Sequence, residues 1–372
     1  MKQLLIDRRV LGNVLLAGIS FLLAIAIAEF SLRIFWERPK KVVEPKTDWA
    51  VVIERVWIEY HPILGWFNQR SKKALLVDGG GWKAEINTNS QGLRGSRDYS
   101  IQKPAHTTRV VSLGDSFVFG WGVKDNETFS ARLEQFDPNL EVLNFGVAGY
   151  GLDQILLSYR ELVREYHPDV VIVAIYPEDF WRATRSFRDT GHAKPYFTLS
   201  GKQLLLHNVP TPQPFELKYN QFPDLIESNK IEDFFEKSIL YRLFRRAILR
   251  IGKDLGWVDP DSTDEWLLGR QLLKAFLSDI RADGAQALFV IVPPDRWFKS
   301  SQEDSFKRSL LRFVEREQVP TIDLTPIFLK LIQQSDLTEY YIKDDWHWTP
   351  KGHKLVALTL MDYITANRLR KS

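Results

Sequence analysis

Residues 10–28 carry no charge and are rich in Leu, Ile, Val and Ala. As a helix, a run of this length rises roughly 28 Å, which matches the hydrocarbon core of a bilayer. A helix apolar on every side predicts a membrane span better than a buried core helix. The expected layout is a cytoplasmic tail over residues 1–9, a transmembrane signal-anchor over 10–30, and a charged linker over 31–49 containing Pro39 and Pro45. Lys2, Arg8 and Arg9 precede the span and Arg33, Arg38, Lys40 and Lys41 follow it, so counting positive residues leaves its orientation open. The shortness of the tail favours an extracytoplasmic main body. Ala26-Ile27-Ala28 resembles a small-x-small cleavage site, which keeps a removed signal peptide as the competing reading.

Beyond the linker the pattern changes twice. Residues 50–108 carry short β-like runs, Val51-Val52-Ile53 and Leu75-Leu76-Val77, broken by Gly79, Gly80, Gly81 and Gly92, and read as a β-rich lead-in. From residue 109, continuous apolar runs of strand length alternate with helical patterns. Runs at 110–113, 141–145, 170–175, 287–292 and 321–324 predict strands covered on both faces, hence a parallel sheet. Patterns at 128–136, 152–165, 266–282 and 306–317 predict the helices between them. The expected fold class is α/β: a three-layer α/β/α sandwich over residues 109–372, with a mostly parallel, flavodoxin-like central sheet. Ligands would bind at the carboxyl ends of its strands.

Residues 181–261 interrupt this rhythm with an insertion far longer than an ordinary loop. Within it, residues 231–253 predict a helix in which Leu240, Leu243, Phe244, Ile248 and Ile251 are interspersed with Arg242, Arg245, Arg246 and Arg250. Such a helix suits a lid, a membrane surface or a partner site, as well as plain packing with its basic face in solvent.

Composition then removes several function classes. With 50 basic and 47 acidic residues the net charge is +3, which gives no reason to expect a nucleic-acid partner. Cysteine is absent, so disulfides, thiolate metal sites and a cysteine nucleophile are excluded. A Cys-free chain also suits an oxidising compartment.

Two stretches carry candidate chemistry. Gly114-Asp115-Ser116 follows the first predicted strand of the sheet, so Ser116 sits at a strand's carboxyl end, beside the free N–H groups of the next helix. That position presents a nucleophile and offers donors for an oxyanion; the competing reading is a plain helix N-cap. Far downstream, Asp344-Asp345-Trp346-His347 places carboxylates two and three residues before a histidine. His347 would take the serine proton while an aspartate holds its tautomer. An exposed acidic turn is the structural alternative. Metal ligation by Asp344, Asp345, His347 and His353 is another, although His353 falls further along a helix and reads as structural. The serine reading calls for neither metal nor cofactor.

Together these pieces resemble the SGNH/GDSL hydrolase superfamily over about residues 109–367. The blocks are Gly114-Asp115-Ser116, then Asn144-Phe145-Gly146-Val147-Ala148-Gly149, then Asp344 to His347 followed by Pro350-x-Gly352-His353. The resemblance implies a Ser-His-Asp acyl-enzyme mechanism, with the N–H groups of Ser116 and Gly149 in the oxyanion hole. It leaves the acid open: Asp344 fits Asp-x-x-His and is slightly favoured, while Asp345 fits the Asp-x-His of polysaccharide O-acetyltransferase-like members. One block departs. Where family members carry Gly-x-Asn-Asp, this chain has Tyr176-Pro177-Glu178-Asp179, so Glu178 replaces the oxyanion-donating Asn. An ionised glutamate repels an oxyanion, and losing one donor costs ~3 kcal/mol. Glu178 in protonated form, a donor supplied by the insertion, and weak or absent activity are the three accounts.

The implied function is a serine esterase acting on O-acetyl or related esters of an envelope glycan. An O-acyltransferase with the same triad and an impaired scaffold binding acylated glycans or an envelope complex are alternatives. A lipid-directed lipase would need a more apolar pocket. Expected partners are the membrane and an ester or acylated carbohydrate. Trp181, Trp297, Trp346 and Trp348 are candidate sugar-stacking surfaces, with ordinary packing the alternative for each.

Overall fold

The computed structural model describes residues 58–77, 83–188, 192–212, 260–299, 304–343 and 345–367, with Phe244 and a set of helical positions between residues 16 and 31. The chain divides into two compact units, one of residues 1–41, 218–220 and 227–259, the other of 42–217, 221–226 and 260–372. In the first, Leu16, Phe21, Leu23, Ile27 and Phe30 of the N-terminal helix are exposed. Among the described residues no helix is long and apolar enough to cross a membrane. Several positions of the expected span lie outside the described residues, as does all of the expected helix at 231–253 except the exposed, helical Phe244.

The second unit begins with two antiparallel hairpins, β1 (Ile58–His61) with β2 (Gly65–Asn68), and β3 (Lys73–Val77) with β4 (Lys83–Asn87). The chain then enters the sheet through β5 (Thr108–Gly114), turns into the short α1 (Ser116–Phe119), and continues through α2 (Phe129–Phe136), β6 (Leu140–Gly146) and α3 (Leu152–Ser158). After β7 (Val170–Ile175) and α4 (Pro177–Ala183), the insertion contributes the hairpin of β8 (Tyr196–Ser200) and β9 (Gln203–His207). The last part holds α5 (Asp264–Ala282), β10 (Gln286–Ile291), α6 (Arg296–Lys299), α7 (Ser305–Arg316), β11 (Thr321–Asp323), α8 (Thr325–Ile332) and α9 (Pro350–Ala366).

The central sheet has five strands in the order β11-β10-β7-β5-β6, all parallel. Numbered within the sheet this is 2-1-3-4-5, the flavodoxin-like order, whose switch point lies between β5 and β7. β5, β6 and β7 are buried at every residue, as strands covered on both faces must be. Alternate side chains divide the core. Val111, Leu113, Val171, Val173 and Ile175 join α3, α4, α5 and α7 on one face. Val110, Val170, Ile172 and Ala174 join α1, α2, α8 and α9 on the other. The expected strands lie within a residue or two of the observed ones. The single helix expected at 152–165 is instead α3 continued by a π turn (Tyr159–Val163) and a 3-10 turn (Arg164–Tyr166). Arg109, at the start of β5, is fully buried; it donates to Glu141 Oε2 at 2.6 Å and to the Tyr166 carbonyl at 2.7 Å, fixing the amino ends of the strands.

Candidate active site

Three strand ends converge at the switch point. β5 delivers Asp115 and Ser116, β6 the loop holding Gly149, and β7 the helix start holding Glu178 and Asp179. The turn into α1 is tight because Asp115 caps it, its Oδ1 accepting from Phe117 N at 3.0 Å. Gly146 is required where β6 ends: a Cβ there would lie 2.1 Å from the backbone N of Phe119. This close approach brings the Gly149 loop beside Ser116.

The fourth contribution comes from the loop between α8 and α9. Tyr341 and Trp348 form a bridge across its base, and Ile342 N donates to His347 O at 2.7 Å. Trp346 takes a positive φ of 74°, a conformation strained for an aromatic residue, which tightens the turn between Asp345 and His347. His347 Nδ1 lies 2.6 Å from Asp345 Oδ1, and His347 Nε2 lies 2.8 Å from Ser116 Oγ. The structure therefore brings Ser116 and His347 together. The carboxylate seen on this ring is that of Asp345; Asp344, which the Asp-x-x-His spacing slightly favours, lies outside the described residues. A side chain two residues back reaches Nδ1 across this sharp turn. Phe117 and Trp121 pack on the imidazole at ring distances of 5.0 and 5.9 Å.

Ser116 N–H and Gly149 N–H donate to no acceptor among the described residues, which leaves them open to a ligand oxygen. The Gly149 loop is clamped by the lead-in: Trp66 Nε1 donates to Ala148 O, and Tyr150 Oη donates to Trp66 O. Gly149 has φ +78°, a conformation that disfavours any side chain.

Glu178 offers no donor to this site. Its Oε1 accepts from Arg296 Nη1 at 2.5 Å, and its Oε2 is shielded without a partner among the described residues. Asp179 is buried, and that burial, reinforced by Asp115, pushes its carboxyl well above the usual carboxylate range. Arg182, one turn further along α4, bridges Asp115 Oδ2 at 2.9 Å, Asp179 Oδ1 at 2.8 Å and the Tyr150 carbonyl at 3.3 Å. Burial alone would lower the Arg182 pKa, but the two carboxylates raise it and hold the guanidinium charged. It thus ties together the residues flanking both open N–H groups. Sequence reasoning passed over Arg182; its spacing of three from Asp179 on a Pro-initiated helix was the available signal.

His353 is buried, with Nδ1 accepting from Phe129 N at 3.2 Å, and is structural. Among the described residues no group of three His, Asp or Glu is placed to hold a metal ion. Of the four tryptophans, Trp297 and Trp348 belong to the core, whereas Trp181 and Trp346 are exposed. Arg185 covers the Trp181 ring at 3.4 Å from its centre, which leaves Trp346 as the better stacking surface.

No curated protein matches the chain. Solved structures resemble it at low identity. The acetyl xylan esterase AlAXEase is 12% identical with a TM-score of 0.40, over 69% of this chain and 99% of that one. A catalytic mutant of Axe2, an acetylxylan esterase from Geobacillus stearothermophilus, is 13% identical with a TM-score of 0.40, over 71% and 96%. The psychrotrophic esterase EstA from Pseudoalteromonas sp. is 14% identical with a TM-score of 0.39, over 70% and 98%. A family model described as GDSL-like Lipase/Acylhydrolase matches residues 112–355, a span that begins inside β5, takes in both Ser116 and His347, and ends in α9; the chain belongs to that family.

Proposed function

We propose that the protein is a serine esterase of the GDSL family that removes short acyl groups, O-acetyl above all, from an envelope glycan. The observation that carries this is the continuous proton path from Ser116 through His347 to Asp345, with contacts of 2.8 and 2.6 Å. Ser116 Oγ attacks the ester carbonyl and its proton passes to His347 Nε2. Asp345 holds Nδ1–H toward itself and stabilises the imidazolium. Collapse of the tetrahedral intermediate restores the carbonyl and expels the alcohol, which takes the proton from His347. Water then repeats the sequence on the acyl-enzyme. A glycan hydroxyl in place of water would make the same site an O-acyltransferase.

Ser116 is only 7% exposed, which favours acetyl over a long lipid chain. Trp346, next to His347 in sequence and 51% exposed, provides an aromatic face for a sugar ring. Membrane anchoring through the N-terminal helix, with the hydrolase unit extracytoplasmic, is supported by the uncharged run 10–28 and by the exposed Leu16, Phe21, Leu23, Ile27 and Phe30. The Glu178–Arg296 pair favours a second reading, a scaffold that binds acylated glycans without turning them over.

A fluorophosphonate probe on the full chain in detergent, with p-nitrophenyl acetate turnover in parallel, separates the two. The esterase labels and turns over, and both activities vanish in Ser116→Ala. Folded wild-type protein with neither activity would sink the esterase reading in favour of the scaffold.

A further inference from the structure

The site described above has two open backbone donors, at Ser116 and Gly149, and a carboxylate where a third donor would stand. A cation lies against the second of these. A Cβ built on Gly149 would fall 2.5 Å from both Nε and Cζ of Arg188 and 2.7 Å from its Nη2, so the guanidinium rests on the Gly149 backbone. The same guanidinium lies over the Trp66 ring, 5.5 Å from the ring centre. Trp66 is the residue that clamps the Gly149 loop, so one set of contacts fixes loop and guanidinium together.

Arg188 is held there by more than its own side chain. It belongs to a hairpin at the start of the insertion, in which Arg188 N donates to His192 O at 2.7 Å, Phe187 bridges Ala193, and Lys194 N donates to Ser186 O at 3.0 Å. The root of that hairpin is pinned by a buried ion pair between Lys194 and Asp153. Lys194 Nζ also donates to the carbonyls of Arg185 at 2.9 Å and Pro195 at 3.0 Å. Asp153 lies in the first turn of α3, four residues after Gly149, so the short stretch that offers the N–H also anchors the hairpin that carries the cation.

We propose that Arg188 supplies the third oxyanion donor, in the role that Glu178 cannot fill; this rests on the esterase chemistry above. As the Ser116 Oγ–carbon bond forms, the carbonyl electron pair moves onto its oxygen, between the N–H groups of Ser116 and Gly149. The guanidinium N–H groups donate to that oxygen from the Gly149 side, and the charge returns to the carbonyl when the alcohol leaves. A fixed cation stabilises a developing anion more than a neutral amide does.

The test compares wild type, Arg188→Gln, Arg188→Lys and Ser116→Ala for kcat and KM on p-nitrophenyl acetate, for fluorophosphonate labelling rate, and for melting temperature. Arg188→Gln is expected to lose roughly 100- to 1,000-fold in kcat, the range for one oxyanion donor. KM should stay within about threefold, because the contact is made in the transition state. Arg188→Lys should fall between Gln and wild type, and it decides the matter if Arg188→Gln does not fold. Arg188→Gln with wild-type kcat, or a raised KM at unchanged kcat, overturns the proposal while leaving the esterase intact. Wild-type protein as inert as Ser116→Ala overturns both.

Discussion

Asp345→Asn tests the proton path most directly. The substitution keeps the shape of a side chain whose Oδ1 lies 2.6 Å from His347 Nδ1 and which is 17% exposed, so the turn between Tyr341 and Trp348 is retained. Two losses follow. A hydrogen bond to a charged group contributes about 1.5–3 kcal/mol, and removing the carboxylate withdraws that support from the imidazolium, for roughly 10- to 150-fold in rate. The amide can also present N–H to Nδ1, which places the ring proton on Nε2, pointing at Ser116 Oγ, where an acceptor is needed. That error alone carries the loss toward 10,000-fold. The expected fall in kcat/KM for p-nitrophenyl acetate is therefore roughly 100- to 10,000-fold, with the melting temperature unchanged. Asp344→Asn, measured beside it, should stay within about threefold. Equal damage in both variants, or damage in Asp344→Asn alone, would refute the assignment of Asp345 as the partner of His347.

Two further outcomes test the framework around the site. Lys194→Met strands the Asp153 carboxylate in the core and should cost about 3–5 kcal/mol in denaturant unfolding, whereas a loss under 1 kcal/mol would show that the pair does not anchor the hairpin. His353 is held near pKa 3 by burial first and by the charges of Arg94, Arg132 and His347 second, against 6.5 for the free side chain. Below pH 6.5 the unfolded chain binds a proton that the native state refuses, so stability drops as pH falls. The drop is ~1.4 kcal/mol per unit, or about 2 kcal/mol from pH 6.5 to 5. His353→Gln should lose that part of the slope in urea unfolding, and parallel slopes for the two proteins would contradict it.

Strands buried on both faces announce themselves as apolar runs, unbroken in β7 and interrupted by single polar residues such as Ser112 in β5 and Asn144 in β6, which is why all three are legible from the residue pattern alone. Gly114-Asp115-Ser116 and the downstream histidine are legible for a related reason: each is a local pattern next to a strand end or helix start. What the sequence conceals depends on contacts distant along the chain. The reach of Asp345 to His347 depends on a positive φ at Trp346, which no propensity indicates. Arg188 lies against Gly149 on a hairpin pinned by Lys194 and Asp153, two residues far apart in the chain whose pairing no local pattern reveals. The β8–β9 hairpin is hidden inside the long insertion, although Ser200-Gly201-Lys202-Gln203 lies between two strand-like runs and is a readable turn.

The separation of 231 positions between Ser116 and His347 also sets an order of events during synthesis. The nucleophile and both open N–H groups leave the ribosome early, at the ends of β5 and of the edge strand β6, before β7, β10 and β11 are made. Acid and base arrive together, on one turn, and only after β11 has closed the sheet edge. A chain emerging from the ribosome or threading through a translocon therefore carries an exposed serine with no base to activate it. Under the proposed mechanism, a chain stalled or clipped before residue 345 carries Ser116 without the Asp345 and His347 that would activate it.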